Sequence, residues 1–343
     1  MTIKRIGVLT GGGDAPGLNA AIRAIVKKAF KCGYEVYGIK NGWLGLIDGD
    51  IQKLDIDSIS GILHVGGTLL GTSRTNPYKK ENGVQKVLDN IKKFKLDCLI
   101  TLGGEDTNSV SNKLSKEGVR CIGVPKTIDN DISGTDYTIG FDTALSITTD
   151  AIDKLHTTAA SHHRVLVVEV MGRNTGWIAI LAGLAGGADA ILIPEVQFDF
   201  EEIIKRIEDR KKRGKNFSLI VVAEGAKPTP EAEQVLKSKE VDEFGHVMLG
   251  GMGQVIKDRL KEAGYETRAV ILGHLQRGGK PTAFDRILAL RLGAAAVDLV
   301  KEEKFNRMVV LRGTEIKNIP IEKAIEQIKY VNKDLYELSK LFY

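Results

Sequence analysis

Short apolar runs alternate with helical patterns along most of the chain, and several of these runs end in glycine-rich or acidic turns. The run at 3–9 is followed by Gly11-Gly12-Gly13 and a helical pattern, and similar runs at 97–102 and 119–124 also end in polar turns. Strands separated by helices of this length form βαβ units with right-handed crossovers. The pattern therefore predicts an α/β protein with largely parallel sheets.

The second half of the chain repeats the same alternation. Helices are expected at 141–155, 200–212, 282–300 and 321–331, and strands at 164–170, 190–193, 217–223, 268–272 and 308–311. With 343 residues the chain is long enough for two ordinary α/β domains. We therefore expect the alternation to build two such domains.

The composition narrows the classes of protein to which the chain can belong. The 49 Lys and Arg residues against 44 Asp and Glu give a net charge of +5, too mixed for a nucleic-acid-binding surface but compatible with an anion site. No apolar stretch reaches the ~18 residues that a membrane-spanning helix needs. Cys32, Cys98 and Cys121 lack metal-binding spacing and are expected to be buried free thiols. We expect a cytoplasmic protein that binds neither nucleic acid nor membrane.

The glycine turn at 11–13 is the first candidate anion site. It lies between a strand and a helix, where backbone N–H groups and the helix N-terminus attract anions at the carboxyl edge of a parallel sheet. It is not a Walker A loop, because Leu18-Asn19 replaces Lys-Ser/Thr, and Pro16 replaces the third glycine of the dinucleotide-binding fingerprint. The alternative is a tight turn that binds no ligand.

A second candidate site follows the strand predicted at 97–102. Glu105 and Asp106 come directly after Gly103-Gly104, and a pair of carboxylates in this position can hold Mg²⁺ beside a polyphosphate. The alternative is that Asp106 and Thr107 only cap the next helix. Capping alone does not require the two glycines, which favours the metal site.

The loop at 125–131 combines a lysine, a threonine and two aspartates where the chain leaves the next strand. A carboxylate such as Asp129 or Asp131 can accept a proton from a substrate hydroxyl, as the catalytic aspartate of kinases does. The alternative is an Asx-rich turn. Because three polar loops follow three strands of one predicted sheet, we expect them to meet at one edge and to form one site.

Five arginines lie near strand ends or glycine-rich turns: Arg74, Arg164, Arg173, Arg268 and Arg277. A guanidinium group binds phosphate through paired, charge-assisted hydrogen bonds. Any one of the five could be an ordinary surface arginine, but their shared placement favours a role in binding phosphate.

At these residues the chain resembles the 6-phosphofructokinase family. The matching segments keep that family's order and spacing: GVLTGGGDAPGLNAAIR (7–23), GTSR (71–74), LGGED (102–106), PKTIDND (125–131), GFDTA (140–144), HHRVLVVEVMGR (162–173), AEGA (223–226) and GHLQRGG (273–279). The resemblance implies two Rossmann-like three-layer domains with the active site between them. It implies a phosphoryl-donor domain at 1–140 plus about 253–305, and a fructose 6-phosphate domain at 141–252 plus about 306–343.

The resemblance also implies roles for individual residues. Asp129 matches the general base that takes the proton from the 1-hydroxyl of fructose 6-phosphate, Thr127 is its neighbour, and Arg173 matches the arginine that stabilises the transferring phosphoryl group. The residues implied to bind the sugar phosphate are Thr127, Ile128, Asp129, Asp131, Arg164, Met171, Gly172, Arg173, Glu224, Arg268, His274 and Arg277. Those implied to bind the donor are Gly12, Gly13, Arg74, Asp106 and Lys126.

Two further implications concern the metal and the quaternary structure. Glu105 matches the Mg²⁺-binding acid, which is usually an aspartate in the family, so the longer side chain keeps the charge but changes the geometry. In the family the residues that match Arg164 and Arg268 reach in from a neighbouring subunit. The resemblance therefore implies a homodimer or a homotetramer.

Asp106 and Lys126 bear on the identity of the donor. Members of the family that use ATP typically have glycine at both positions, which leaves room for the α-phosphate and ribose. Here Asp106 would add bulk and like-charge repulsion against a nucleotide, and Lys126 could neutralise bare pyrophosphate. We therefore predict Mg²⁺-dependent, reversible phosphoryl transfer from pyrophosphate in glycolysis and gluconeogenesis, with ATP as the alternative donor.

Two other classes of function fit the sequence less well. A homologue that senses sugar phosphate without catalysis is expected to lack an acid or an arginine of the site, whereas Thr127, Asp129, Asp131 and Arg173 are all present. An NAD-dependent oxidoreductase needs the Gly-x-Gly-x-x-Gly fingerprint that the first loop lacks.

Overall fold

Two units divide the chain, and each is built around its own sheet. The computed structural model describes residues 3–229 and 251–342. Within these ranges, the first unit consists of residues 3–143 and 277–328, and the second of residues 144–229, 251–276 and 329–342. Each unit is described separately below.

Seven strands of the described residues form the sheet of the first unit. In sheet order they are β11 (Glu315–Pro320), β10 (Arg307–Arg312), β5 (Cys121–Pro125), β4 (Cys98–Gly103), β1 (Arg5–Thr10), β2 (Glu35–Ile39) and β3 (Ile51–Leu54). The strands from β10 to β2 run parallel, and β11 and β3 add antiparallel pairs at the two edges. The central strands β1, β4 and β5 are almost completely buried, as is typical of parallel strands with helices on both faces.

Helices cover both faces of this sheet. One face carries α1 (Leu18–Lys31) and α9 (Ala283–Lys301), and the other carries α2 (Trp43–Asp48), α3 (Gly83–Phe94), α4 (Glu105–Lys116) and α10 (Ile321–Ile325). Alternate residues of β4 enter the two cores: Ile100 packs on the α1 side and Leu99 on the α4 side. Gly293 lets α9 approach α1 closely, since a Cβ there would lie 2.7 Å from the carbonyl oxygen of Ala21.

The described strands of the second unit are all parallel. In sheet order they are β7 (Ala190–Leu192), β8 (Ser218–Ala223), β6 (Val165–Val170) and β9 (Thr267–Ile271). The helices are α5 (Phe141–His162, part of this unit from residue 144), α6 (Trp177–Ala185), α7 (Phe200–Lys212), α8 (Met252–Glu262) and α11 (Lys333–Ser339). Val167 and Val222 of the sheet share a core with Ile203 of α7 and Ile256 of α8.

The α/β class with two Rossmann-like units and largely parallel sheets is confirmed. The division of the chain differs from the expected boundaries in two places. Residues 253–276 belong to the second unit because β9 pairs with β6. Residues 306–328 belong to the first unit because β10 pairs with β5. The late segment that completes the first unit therefore covers residues 277–328 instead of about 253–305.

Two helix boundaries also differ from the predicted ones. The helix expected at 141–155 continues to His162, and the pattern at 321–331 is helical only to Ile325. A separate helix, α11, begins after Asn332, whose side chain accepts a hydrogen bond from the N–H of Asp334 (2.8 Å). This N-cap starts a new helix instead of continuing the previous one.

Two expectations from composition can be compared with the structure. Cys98 and Cys121 are buried free thiols, whereas Cys32 is only half-buried. Burial raises the pKa of the Cys121 thiol to about 12, and burial also raises the pKa of Cys98. In the part of the chain that the structure describes, none of the helices combines the length and the apolar content that crossing a bilayer requires.

Candidate active site

Three polar loops of the first unit follow three neighbouring parallel strands. The glycine turn follows β1, Glu105 and Asp106 follow β4, and the loop with Asp129 follows β5, in a sheet where β5, β4 and β1 are adjacent. Carboxyl ends of parallel strands lie at one edge of a sheet, and this edge is where ligands bind in open α/β folds. The expected convergence of the three loops is confirmed.

The glycine turn is fixed from two sides by backbone hydrogen bonds. The N–H of Gly11 donates to the carbonyl of Leu102 at the end of β4 (3.0 Å), and the N–H of Gly12 donates to the carbonyl of Ser73 (3.0 Å). Oγ1 of Thr72 donates to the carbonyl of Gly12 (2.6 Å). The turn is therefore held against segment 71–74, which ends in the exposed side chain of Arg74.

Thr107 explains why two of the glycines cannot carry a side chain. Thr107 is buried, and a Cβ built on Gly11 would lie 2.6 Å from its Oγ1, while a Cβ on Gly103 would collide with its side chain. The sequence offered Thr107 as a helix cap, but the N-cap of α4 is Gly104. Thr107 instead fills the space between the two turns, a contact that depends on tertiary packing and has no local sequence signal.

Glu105 and Asp106 occupy the first turn of α4, where the helix dipole favours acidic groups. Oγ of Ser109 donates to Oε1 of Glu105 (3.0 Å), and Glu105 is exposed while Asp106 is half-buried. The described residues contain no group of three or more His, Cys, Asp or Glu that could hold a metal alone. A cation at Glu105 would need further oxygen ligands from a bound phosphate, which is the usual way in which proteins hold Mg²⁺.

Lys126 lies directly behind the glycine turn. Its side chain is only 2% exposed, and Nζ donates to the carbonyl of Gly11 (2.9 Å) and to the carbonyl of Gly13. Burial of the ammonium group lowers the pKa of Lys126 to about 7, and the nearby Arg277 guanidinium adds to this effect, while Asp14 and two other aspartates oppose it. The lysine thus brings a titratable positive charge to the turn.

The loop after β5 holds Asp129 in a defined position. Oγ1 of Thr127 donates to Oδ2 of Asp129 (3.3 Å) and accepts the N–H of Asp129 (3.1 Å). Asn130 is left-handed (φ 53°), and its Oδ1 accepts the N–H of Thr138 (3.1 Å). Asp129 is 7% exposed, whereas the side chain of Ile128 is completely buried. The bond from the N–H of Asp129 to Oγ1 of Thr127, two residues earlier, forms a threonine-type (ST) turn, which presents the Asp129 carboxylate next to the threonine hydroxyl.

Arg277 lies against the glycine turn in the first unit. Its Nη1 donates to the carbonyl of Asp14 (3.1 Å), and a Cβ on Gly13 would lie 2.6 Å from the same nitrogen. Within the described residues, its buried Nε has no hydrogen-bond partner. The sequence resemblance groups Arg277 with the residues that bind the sugar phosphate, whereas the structure places it beside the glycine turn.

Four residues that the sequence predicts to bind the sugar phosphate lie at the carboxyl end of β6 and β8. Met171, Gly172 and Arg173 follow β6, and Glu224 follows the neighbouring β8. Oε1 of Glu224 accepts the N–H groups of Gly172 (3.3 Å) and Arg173 (3.1 Å). Arg173 is left-handed (φ 55°), and Gly225 approaches its carbonyl so closely that a Cβ would collide with it. Glu224 therefore fixes the backbone that carries Arg173.

Gln276 is a further residue of this group that the sequence gave no reason to select. It is completely buried, and its Oε1 accepts the N–H of Met171 (3.3 Å) and Oγ1 of Thr148 (3.2 Å). Its Nε2 donates to the carbonyl of Gly273 (3.1 Å). The amide thus ties the loop after β6 to the turn that carries the exposed His274. The sequence signal is only its position between His274 and Arg277.

Arg164 and Arg268 lie away from this group. Nε of Arg164 donates to Oε1 of Glu266 (2.6 Å), and Nη2 of Arg268 lies 3.5 Å from the same oxygen. Arg164 precedes β6, whereas Met171 follows it, so the two arginines are near the opposite end of that strand. Side chains at the two ends of a six-residue strand are roughly 20 Å apart. Within one chain, the structure does not bring these arginines to the Arg173 loop.

A family model described as Phosphofructokinase matches residues 5–300 of the chain. The pyrophosphate–fructose 6-phosphate 1-phosphotransferase of Streptomyces coelicolor is 52% identical over 342 residues, 99% of each protein. The ATP-dependent 6-phosphofructokinase of Corynebacterium efficiens is 49% identical over 334 residues, 96% of each protein. Relatives with either donor in their names are therefore similar to this chain over nearly their whole lengths.

A solved phosphofructokinase has the same fold. The structure of the Pichia pastoris enzyme in its T-state superimposes with a TM-score of 0.83 at 30% identity, and the match covers all of this chain and 36% of that chain. This chain thus spans about a third of the length of that subunit. The family model, the full-length relatives and the fold agree that this chain belongs to the phosphofructokinase family.

Proposed function

We propose that this chain transfers a phosphoryl group from pyrophosphate to the 1-hydroxyl of fructose 6-phosphate, giving fructose 1,6-bisphosphate and phosphate. The observation that carries the proposal is the meeting of three loops at one sheet edge: a glycine turn, a helix start with two acids, and a loop with a buried lysine and Asp129. The full-length relative named as a pyrophosphate enzyme supports the same donor.

The donor is bound by the first unit in this proposal, through Gly12, Gly13, Arg74, Asp106 and Lys126. The start of α4 offers backbone N–H groups to an anion, whereas those of Gly11 and Gly12 already donate to the carbonyls of Leu102 and Ser73. Lys126 adds positive charge from behind the turn, where its Nζ already contacts two carbonyls of the turn. A compact anion such as pyrophosphate gains from this arrangement without needing space for a nucleoside.

In this proposal fructose 6-phosphate is bound by residues that the sequence resemblance assigns to it. They are Thr127, Ile128, Asp129, Asp131, Met171, Gly172, Arg173, Glu224, His274 and Arg277. The bond from Arg173 N–H to Glu224 (3.1 Å) restricts the loop before any substrate arrives. Restricting the loop in advance lowers the entropy that binding must overcome.

Asp129 acts as general base in the proposed reaction. Its carboxylate takes the proton from the 1-hydroxyl, so that the hydroxyl oxygen can attack the nearer phosphorus of pyrophosphate while phosphate leaves. Thr127, hydrogen-bonded to Oδ2 of Asp129 (3.3 Å), keeps the carboxylate oriented. The guanidinium of Arg173 stabilises the negative charge that develops on the transferring group.

Glu105 is the residue that would hold Mg²⁺, together with oxygens of the donor. Its exposed carboxylate at the sheet edge fits this role, since Mg²⁺ usually binds proteins through one or two carboxylates plus phosphate oxygens. When bound, the ion neutralises part of the charge of the phosphates. Ser109, which donates to Oε1 of Glu105 (3.0 Å), limits the freedom of the longer glutamate side chain.

The second part of the proposal is that the chain works as a homodimer or homotetramer. Arg164 and Arg268 converge on the exposed Glu266, at the opposite end of β6 from Met171 and Arg173. Two arginines that lie away from the Arg173 loop of their own chain can bind the sugar phosphate in the site of a neighbouring subunit. The edge strand β9, which carries Arg268, has no further strand beyond it among the described residues.

Donor selection is the sharpest test of the proposed function. The purified chain, with fructose 6-phosphate and Mg²⁺, receives pyrophosphate or ATP in separate assays at equal subsaturating concentration, and fructose 1,6-bisphosphate is measured. We expect faster turnover with pyrophosphate, because Asp106 repels the α-phosphate of a nucleotide. Faster turnover with ATP would favour the second candidate function, an ATP-dependent 6-phosphofructokinase. The 49% identical relative with that name supports this alternative.

The Asp106→Gly variant tests the reason for the selection. Removing about 1.4 kcal/mol of repulsion is worth about tenfold in affinity, so kcat/KM for ATP should rise at least about tenfold. Adding Lys126→Gly should lower kcat/KM for pyrophosphate, because it removes the positive charge next to the glycine turn. The matched control is Glu117→Gly at the other end of α4, which removes an acid outside the sheet edge. If Asp106→Gly leaves the preference unchanged, Asp106 does not select the donor.

A further inference from the structure

Asp285 is a buried carboxylate of the first unit to which the proposed reaction assigns no role. Its side chain is completely buried and accepts hydrogen bonds from the N–H of Gly140 (2.9 Å), the N–H of Thr143 (2.8 Å) and Oγ1 of Thr143 (2.6 Å). Gly140 and Thr143 lie at the start of α5, whereas Asp285 lies in the first turn of α9. A carboxylate of one helix therefore caps the other.

The starts of α5 and α9 cap each other reciprocally. Oγ1 of Thr282, the N-cap of α9, accepts the N–H of Asp285 (3.2 Å) and donates to Oδ2 of Asp142 in α5 (2.6 Å). The N–H of Thr282 donates to Oγ1 of Thr143 (3.0 Å). In an ordinary capping box the acid three residues after the N-cap binds the N-cap N–H. Here Oγ1 of Thr143 accepts the N–H of Thr282. The Asp285 carboxylate is therefore available to accept hydrogen bonds from the start of α5.

The segment held by Asp285 supports the loop that contains the proposed base. The N–H of Ile139 donates to the carbonyl of Pro125 (3.1 Å), and Oγ1 of Thr138 donates to the carbonyl of Thr127 (2.7 Å). The N–H of Thr138 donates to Oδ1 of Asn130 (3.1 Å). These bonds reach residues on both sides of the base, so a shift of 138–143 would shift the loop.

Residues 11–17, which are the glycine turn and the stretch that leads into α1, are called the donor turn, and the same segment packs against its second half. A Cβ built on Gly140 would lie 2.5 Å from the Cβ of Ala15, and a Cβ built on Gly17 would lie 2.7 Å from Cγ2 of Ile139. Backbones this close cannot slide past each other without strain, because protein interiors are densely packed. Segment 138–143 therefore contacts the donor turn on one side and the base loop on the other.

We propose that Asp285 is a positioning residue for phosphoryl transfer, which holds 138–143 so that the donor turn and the base loop keep a fixed separation. The inference rests on the proposed function, because it assumes that these two loops carry the reacting groups. Asp285 contacts no substrate in this proposal and acts through the backbone of α5. A displacement of about 1 Å between reacting groups can cost ~10²-fold in rate.

The test compares Asp285→Asn with Asp189→Asn. Asparagine keeps the size of the side chain, but its NH₂ group cannot accept, so it cannot make all three bonds. We expect Asp285→Asn to lower kcat roughly 10–100-fold and to change KM for fructose 6-phosphate less than about threefold. A folded Asp285→Asn protein with kcat within about twofold of wild type would overturn the proposal.

Asp189→Asn is the matched control for loss of a buried carboxylate. Asp189 accepts the N–H of Leu219 (2.8 Å) and pairs with Arg210 (2.6 Å), just before β7 in the second unit. We expect this variant to be less stable than wild type but to keep its kcat per folded molecule. An equal fall in kcat for both variants would attribute the Asp285 effect to general destabilisation and would overturn the proposal.

Thr143 provides a second pair of variants in case Asp285→Asn does not fold. Thr143→Ser keeps the hydroxyl that donates to Asp285 and accepts the N–H of Thr282, whereas Thr143→Val removes it at nearly the same volume. We expect the serine variant to keep near wild-type kcat and the valine variant to lose roughly tenfold. Equal activity of the two variants would count against the proposal.

Hydrogen–deuterium exchange separates this inference from the proposed function. We expect amides at 11–17 and 125–131 to exchange faster in Asp285→Asn than in Asp189→Asn, whether or not the chain uses pyrophosphate. If wild-type protein transfers no phosphoryl group but exchange rises as expected, the proposed function fails and the structural coupling stands. If wild-type protein is active and exchange at both loops is unchanged, the inference about Asp285 fails.

Discussion

Lys126 is a buried cation placed directly behind the donor turn. Its ammonium donates to the carbonyl of Gly11 (2.9 Å) and to that of Gly13, and burial together with Arg277 lowers its pKa to about 7. Bound pyrophosphate would add negative charge nearby and would raise this pKa again. Donor binding is then linked to protonation of Lys126.

The linkage predicts uptake of protons when pyrophosphate binds. At pH 8, above the pKa of about 7, Lys126 of the free protein is mostly neutral, so a rise in pKa on binding must bring a proton from solution. Calorimetric titration in buffers of different ionisation enthalpy counts the protons. The Lys126→Met variant corrects for titration of pyrophosphate itself, and equal uptake by the two proteins would contradict the linkage.

Asp129→Ser should remove the proposed base and leave the loop largely intact. The hydrogen bonds that join Thr127 and Asn130 to Thr138 do not involve the Asp129 side chain and remain. We expect kcat to fall by ~10²–10⁴, the usual contribution of a general base, with KM for fructose 6-phosphate nearly unchanged. Steady-state kinetics measures both, and circular dichroism checks the fold. A variant that keeps a tenth of wild-type kcat would exclude Asp129 as the base.

At the scale of elements, the turn that follows β8 limits the position of the Arg173 loop. A Cβ on Gly225 would collide with the carbonyl of Arg173, so Gly225→Ala should displace that loop. We expect kcat to fall at least about tenfold. The control is Gly253→Ala in α8, where a Cβ would meet only side-chain atoms, the nearest 3.1 Å away on Glu169. Equal kinetics for the two variants would show that the close approach does not matter.

The regular elements could be predicted because their signals are local. Apolar runs and turn residues located the central strands β1, β4 and β5 and the long helices within a few residues. The edge strand β11 was missed because an exposed edge tolerates the polar residues Glu315, Lys317 and Asn318. The return of the chain into the first sheet could not be predicted from local patterns, since it depends on β10 pairing with the distant β5.

The same distinction applies to the candidate site. The polar loops, Glu105 and Asp129 were selected from sequence because they follow strands directly, and their convergence depends only on strand order. The burial of Lys126, the filling of two turns by Thr107 and the cross-capping by Asp285 depend on residues far away in the chain. Contacts of this kind leave no pattern in the sequence near the residues that make them.

At the scale of the whole molecule, the proposed oligomer makes a prediction about mixed subunits. Arg268→Ala should mainly raise KM for fructose 6-phosphate, because it removes binding common to the ground and transition states. If Arg268 serves a neighbouring subunit, mixing and reassembling Arg268→Ala with Asp129→Ser should form some sites with both native residues. Activity at low fructose 6-phosphate should then exceed the sum of the separate proteins.

The control for the mixing experiment is Asp129→Ser with Lys126→Met. Both residues belong to the same loop of one subunit, so no mixed site regains both. We expect no recovery of activity in this mixture. Recovery here, or no recovery with Arg268→Ala, would contradict the assignment of Arg268 to a neighbouring subunit.

The central claim is that this chain moves a phosphoryl group between pyrophosphate and the 1-hydroxyl of fructose 6-phosphate. Phosphorus NMR tests it most directly, on wild-type protein with Mg²⁺, fructose 6-phosphate and pyrophosphate, and no nucleotide. We predict that the pyrophosphate signal gives way to equal amounts of phosphate and fructose 1,6-bisphosphate, and that excess phosphate with fructose 1,6-bisphosphate regenerates pyrophosphate. Intact pyrophosphate in this sample, while a parallel sample consumes ATP, would contradict the account.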